Sequence, residues 1–201
     1  QFRVSPLIRM TLLLLYVASG RSTILIGGAA LTLVAGIIAY NSFAVVRLRI
    51  DIWLNPWPEA EDRAYQIVQS LQAFAAGGIF GQGIGQGSPQ FVPVAHSDFV
   101  FAALAEEWGL LGVITLVACL MVFVARGIRI AAQQRGKAFR MLMAIGLTTL
   151  IGAQSCLIMG GTLGVLPLTG VTLPYLSYGG SSLLMSFISA GLLIRLSGTR
   201  E

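Results

Sequence analysis

GVLPLTGVTLPYLSYGGSS, Gly164 to Ser182, lies inside an uncharged run that extends from Met141 to Ile194. A stretch that apolar belongs in a bilayer, where each unsatisfied backbone polar group costs several kcal/mol. Yet Pro167, Gly170, Pro174, Gly179 and Gly180 interrupt any helix drawn through it. Broken backbone at membrane depth is tolerated only where it is buried in protein or lines a polar cavity. The stretch therefore predicts a helical membrane protein with a shaped interior site.

Composition points to the same class. Mean hydropathy is +0.82, and 56% of residues are hydrophobic while 10% are charged, against roughly 25% charged in soluble domains. Spans are predicted at 22–46, 99–125, 141–159 and about 175–194, each near the ~20 residues that cross a hydrocarbon core. Pro6 to Ser19 is apolar but short and carries Arg9, so it reads as a partial span. The expected fold is an all-α, polytopic transmembrane bundle: four full spans plus one partial, a long extracytoplasmic loop over 47–98 and a broken, re-entrant-like segment. Residues 1–201 form a single integral membrane domain. The chain begins at Gln1 with no signal-peptide pattern, so an N-terminal part of a larger bundle is expected to precede it. Cys119 and Cys156 both fall inside predicted spans, where thiols act as small hydrophobes, and neither a disulfide nor a zinc site is expected.

Thirteen basic residues face eight acidic ones, but their placement matters more than their balance. Arg126, Arg129, Arg135, Lys137 and Arg140 crowd one short connection that has no acid, which makes it cytoplasmic by the positive-inside rule. Arg21, Arg195 and Arg200 then fall on the same side, and 47–98 and 160–174 face outward. These basic residues flank spans and have no interleaved aromatic platform, so nucleic-acid binding is disfavoured. Every acid except Glu201 lies between Asp51 and Glu107, which equips the outer face for chemistry.

Within the outer loop, Ala64, Ile67, Val68, Leu71, Phe74 and Ala75 recur at helical spacing after Pro58, and Gly77 and Gly78 end the pattern. Such a helix lies at the interface, with Trp53 and Trp57 at headgroup level, or packs on the bundle. FGQGIGQGSPQF follows, with Gly81, Gly83, Gly85 and Gly87. It matches neither the dinucleotide fingerprint nor a P-loop. It is either a flexible turn or an amide nest for a diphosphate.

The loop closes on VAHSDFVFAALAEEWGLLG, in which Ser97 or Asp98 can cap the helix that enters the membrane at Phe99. Asp98 is also the last carboxylate before the bilayer. His96 is a hydrogen-bonded interfacial histidine or a group that binds metal or tunes Asp98. Glu106 and Glu107 lie about two turns further, roughly 12 to 14 Å deeper. Carboxylates at such depth need partners or protons, and Arg47 and Arg49 stand at a plausible level to supply them. At ~100° per residue the two glutamates diverge, so both cannot face one site with Asp98.

PLTGVTLPYLSYGGSSLL, with WLNPW, YQIVQSLQAFAAGGIFGQGIGQG and HSDFVFAALAEEWGLLG, resembles the shape, elongation, division and sporulation (SEDS) family of RodA/FtsW-like proteins. The match covers most of 47–194, with several motifs in the family's order, and corresponds to its C-terminal half. The resemblance implies a helical fold of about ten spans and a peptidoglycan glycosyltransferase. Such an enzyme polymerises lipid II into β-1,4 glycan at the outer face of the bacterial cytoplasmic membrane, releases undecaprenyl diphosphate and works with a class B penicillin-binding protein transpeptidase. It places the family's catalytic aspartate on Asp98 and marks Gly81 to Gly87 and Pro167 to Ser182 as parts of the substrate cavity. Many relatives carry asparagine where Ile158 and Thr162 stand.

That chemistry needs a base for a GlcNAc 4-hydroxyl and stabilisation of a departing diphosphate. Asp98 is the expected base, or a ligand for a Mg²⁺ or Mn²⁺ cofactor. Arg47, Arg49 and Arg63 are the candidate phosphate partners, and His96, Thr169, Tyr178 and Ser181 complete the expected substrate-binding set. Glu106, Glu107, Pro167, Gly170, Pro174, Gly179 and Gly180 are expected to be structural. Two other classes share some of these features: a flippase or transporter, whose ionisable groups would run across the membrane, and a non-catalytic scaffold for a transpeptidase.

Overall fold

The computed structural model describes residues 22–62, 64–87, 97–134 and 136–198. Pro6 to Ser19, Arg63 and His96 lie outside the described residues. The regular secondary structure among them is entirely helical: α1 (Ser22–Ser42), α2 (Ala44–Leu54), a 3-10 turn (Trp57–Glu59), α3 (Tyr65–Gly77), α4 (Val100–Gln133), α5 (Ala138–Thr162) and α6 (Gly180–Gly198). Three of these, α4, α5 and α6, are long and apolar enough to cross a membrane, and α1 with α2 supplies a fourth, bent candidate. Ile114, Met121, Val122 and Ile128 on α4 are more than half exposed, a surface that only lipid or further helices would cover.

The first expected span is not one helix. Phe43 is extended (φ −121°, ψ 113°), and the chain turns by 101° between Ile26–Ser42 and Ala44–Leu54. Arg47 and Arg49 therefore sit on a helix instead of opening a loop. At the other end of the bundle, α4 continues past the expected limit at Ala125 to Gln133, carrying Arg126 and Arg129 on its last turns.

Helices α4 and α5 cross closely because small residues stand at the contact. A Cβ on Gly127 would collide with the Thr148 side chain, and Ala131 and Ala144 are buried beside it with Leu193 and Leu196 of α6. Without a hydrophobic drive inside lipid, such close backbone approach is what holds helices together. The hydroxyls of Thr148, Ser155, Ser186 and Ser189 each donate to the carbonyl four residues earlier, so they are buried at little cost.

The loop helix packs on the bundle instead of lying free at the interface. Val68, Ser70, Ala73 and Gly77 form its buried face. Phe74 meets Phe101 edge-on with ring centroids 5.4 Å apart, and the Ser70 hydroxyl donates to the Thr162 carbonyl at 2.9 Å.

A break in α4 decides what the glycine loop does. Gly109 has φ 64° and ψ −161° inside α4, a conformation essentially confined to glycine. The helix loses its own hydrogen bonds there, and the loop replaces them. Gln82 and Gly83 amides donate to the Glu106 and Glu107 carbonyls at 2.9 and 3.1 Å, while Leu110 and Leu111 amides donate to the Gly78 and Ile79 carbonyls at 2.9 and 3.3 Å. A Cβ on Gly81 would strike the Glu107 carbonyl, and one on Gly109 would strike the Gly81 amide. This is backbone against backbone, the arrangement that lets an interrupted span stay buried.

Candidate functional site

The broken segment 163–179 is tied down from three directions. From α2, the Trp53 indole donates to the Gly164 carbonyl at 2.9 Å, and the Arg49 guanidinium donates to the Leu168 carbonyl at 3.4 Å. From below, Leu168 packs on the buried Ala73, Phe99 and Ala102, and Leu173 packs with Phe101 and Ile158. From α6, the Thr172 and Ser182 hydroxyls are 2.6 Å apart. Pro174 is fully buried, and Tyr175 holds a positive φ of 68°, with its hydroxyl donating to the Ser186 carbonyl at 3.1 Å.

Ser177 links this segment to the acidic motif. Its buried hydroxyl donates to the Ser97 carbonyl at 2.6 Å and accepts the Leu173 amide at 2.7 Å. That pair of bonds fixes the backbone immediately before Asp98 against the turn at Leu173. The Asp98 side chain then lies beside Gly170, where a Cβ would come 3.6 Å from Oδ2. Its other oxygen, Oδ1, accepts the Ser97 hydroxyl at 3.3 Å.

Asp98 is not the N-cap of the helix. The N-cap of α4 is Phe99, and it has no side-chain cap hydrogen bond. The carboxylate is half-buried and turned toward Gly170 of the broken segment instead of onto the first helical amides. Next to Gly170, the Thr169 Oγ1 is buried with no hydrogen-bond partner among the described residues. A buried hydroxyl in that condition costs about 1–3 kcal/mol and marks a position where another polar group belongs.

The other expected site residues divide. Arg49 reaches the broken segment, whereas the Arg47 guanidinium lies 5.5 Å over the Tyr40 ring instead of pairing with Glu106 or Glu107. Arg63 and His96 lie outside the described residues. Tyr178 is 75% exposed, and Ser181 is exposed on the first turn of α6. Both stand at the rim. Gly179 packs near Thr172 and Ser182, and Gly180 opens α6. Pro167 and Gly161 bracket the entry to the segment, where a Cβ on Gly161 would touch Leu168.

The glycine loop is not a free amide nest. The amides of Gly81, Gln82, Gly83 and Gln86 donate to backbone carbonyls, and the Gly85 amide donates to Glu107 Oε1 at 3.2 Å. The loop also draws together the two glutamates that helical periodicity separates. A Cβ on Gly87 would come 3.2 Å from side-chain atoms of both Glu106 and Glu107. A phosphate placed there would meet carboxylates. Gly81 to Gly87 thus support α4 at roughly 10 Å along the helix from the Asp98 end, with Glu106 buried.

Sequence reasoning missed Ser177, Trp53 and the orphaned state of Thr169. Ser177 stood within the decisive motif, but nothing in its spacing indicates that its hydroxyl would reach Ser97. Ile158 and Thr162 are buried here, and Thr162 donates to the Ile158 and Met159 carbonyls at 3.0 Å each.

Comparison with known proteins bears on the same segments. The family of cell cycle proteins that includes FtsW, RodA and SpoVE matches residues 4–201. A peptidoglycan glycosyltransferase RodA of Mycobacterium tuberculosis is 41% identical over 186 residues, covering 92% of this chain and 39% of the relative. A probable peptidoglycan glycosyltransferase FtsW of Geobacter metallireducens is 38% identical over 190 residues, covering 94% of this chain and 50% of the relative. A solved structure described as showing structural coordination of polymerization and crosslinking by a peptidoglycan synthase complex superposes with TM-score 0.68 at 30% identity, over 88% of this chain and 49% of the other. The chain thus spans half or less of the length of these relatives. Matched from residue 4 to its last, and sharing the fold of a solved relative, the chain belongs to the FtsW/RodA/SpoVE family of multi-pass membrane proteins.

Proposed function

We propose that the protein carrying this chain is a peptidoglycan glycosyltransferase that joins lipid II units at the outer face of the cytoplasmic membrane, with Asp98 as general base. The observation that carries the reading is the Asp98 carboxylate itself: away from the N-cap position and turned toward Gly170 of a broken segment, whose neighbour Thr169 has a buried hydroxyl with no partner among the described residues. Relatives named as peptidoglycan glycosyltransferases support the reaction class.

In this mechanism Asp98 takes the proton from the 4-hydroxyl of a GlcNAc unit as its oxygen bonds to the anomeric carbon of the donor sugar. The bond from that carbon to the diphosphate breaks with its electron pair, and undecaprenyl diphosphate departs. Attack opposite the leaving group converts the α-linked donor into a β-1,4 linkage. The Ser177 bond to Ser97 holds the base in place, so little reorganisation is needed when the proton moves. Arg49, anchored at Leu168, is the described cation best placed to meet diphosphate charge. In an alternative role the Asp98 carboxylate, with substrate phosphates, would hold a Mg²⁺ or Mn²⁺ ion, which would neutralise leaving-group charge. The family resemblance and the polymerisation–crosslinking complex of the structural relative extend the proposal to a class B transpeptidase partner.

The test is glycan-strand formation from purified lipid II by the full-length protein and its Asp98→Asn variant at matched levels. A general base contributes roughly 10²- to 10⁴-fold, so the variant should lose that much while keeping its thermal stability. Near-normal polymerisation by Asp98→Asn would refute the assignment.

A further inference from the structure

A second polar site lies at the end of the bundle away from Asp98. A cavity of about 520 Å³ opens between the C-terminal turns of α4 and the end of α6, lined by Arg126, Arg129, Ile130, Gln133, Ser197 and Gly198. Its volume falls within the ~300–1,000 Å³ of small-molecule sites. Arg126 and Arg129 are three residues apart on one helix and Gln133 lies four further on, so all three share one face.

The two guanidiniums have no hydrogen bond or ion pair among the described residues. The sequence explains why: between Glu107 and Glu201 there is no aspartate or glutamate at all. The opposing wall adds only a modest repulsion. The C-terminus of α6 carries about half a negative charge, and one of its terminal carbonyls, Leu196, already accepts the Gln134 side-chain amide at 2.9 Å. Two full positive charges face that partial negative one, so the cavity selects an anion.

Depth selects which anion. Leu110 to Ala125 is uncharged and spans about 24 Å of helix. Arg126 and Arg129 thus begin where the hydrocarbon ends and the phosphate level of the leaflet starts. Guanidinium forks match phosphate oxygens in two-bond geometry, and Ile130 beside them offers an apolar edge for the start of an acyl chain. We infer that this cavity is a binding site for the phosphodiester headgroup of an anionic phospholipid, in the manner of basic pockets between transmembrane helices. The site is independent of the catalytic reading.

Native mass spectrometry of the purified full-length protein, equilibrated with equal amounts of phosphatidylglycerol and phosphatidylcholine, tests the inference. The wild type should retain phosphatidylglycerol selectively. Arg126→Gln with Arg129→Gln should lower that retention roughly thirty-fold, the equivalent of two basic contacts at a lipid surface. Arg140→Gln, which removes a charge of the same basic connection that does not line the cavity, should leave retention unchanged. Gly198→Trp keeps both arginines but fills the cavity from an exposed position that has open space around it, so it should also abolish selective retention, and it serves where the double variant fails to fold. Equal losses from Arg140→Gln and the double variant would overturn the pocket in favour of diffuse surface attraction. Displacement of the lipid by millimolar inorganic phosphate would overturn the lipid assignment in favour of a soluble anion, and unchanged retention in either cavity variant would overturn the site itself.

Discussion

Replacing Gly109 by alanine tests whether the glycine loop exists to mend a broken helix. The residue sits at φ 64°, ψ −161°, which costs a residue with a Cβ about 1–3 kcal/mol. The added methyl would also strike the Gly81 amide and come 2.6 Å from the Ile79 carbonyl oxygen. Relief of that overlap requires moving backbone, at about 1–3 kcal/mol. If the loop and the helix part, the bonds from Leu110 to Gly78 and from Leu111 to Ile79 are lost at roughly 1 kcal/mol each. The combined destabilisation is therefore about 2–6 kcal/mol with those bonds kept and about 4–8 kcal/mol with them lost. Gly85→Ala is the internal control, because Gly85 also has positive φ (74°) but nothing within 4 Å of its Cβ position. It pays the conformational term alone, about 1–2 kcal/mol. Fluorescence-detected size-exclusion after graded heating, in one detergent, should place Gly109→Ala well below Gly85→Ala. Equal melting of the two variants would refute the splice.

Four further outcomes follow from the same geometry. Ser177→Ala removes both the donor to Ser97 and the acceptor for Leu173, so it should cost about 2 kcal/mol and lower polymerisation although Asp98 is untouched; wild-type melting and activity would contradict the clamp. Thr169→Val deletes a buried hydroxyl that has no partner among the described residues, and should leave stability equal or raise it by about 1 kcal/mol while glycan synthesis falls; unchanged synthesis would show that the hydroxyl does not meet substrate. Gly127→Ala should destabilise by about 1–3 kcal/mol through collision with Thr148, with the loss reduced in a Thr148→Ala background; additive losses in a double-mutant cycle would deny that contact. With Cys119 and Cys156 replaced, a cysteine at position 137 should resist an impermeant reagent applied from outside, and its labelling would reverse the proposed orientation.

The sequence by itself determined the class of protein, because a bilayer imposes a one-dimensional requirement. An uncharged run from Met141 to Ile194 must be buried in lipid or protein whatever its partners. The same residues showed where helix must fail, since Pro167, Gly170 and Pro174 act locally on the chain that bears them. The break at Phe43 was not legible, because neither proline nor glycine stands there. Nor was the role of the glycine loop: flexibility, nest and splice all ask for glycine, and only the approach of Gln82 and Gly83 to the Glu106 and Glu107 carbonyls distinguishes them. Periodicity set the two glutamates apart, and a loop threaded past Gly87 brought both to one place. Asp98 was legible as a carboxylate at the membrane edge, but its place outside the N-cap position was not. Nor was the bond from Ser177 to Ser97, eighty positions apart, that ties down the backbone before it. Contacts of that separation depend on how helices cross, and crossing is set by the shapes of many side chains at once, such as Gly127 against Thr148. A pattern along one chain segment carries no record of which distant surface it will meet.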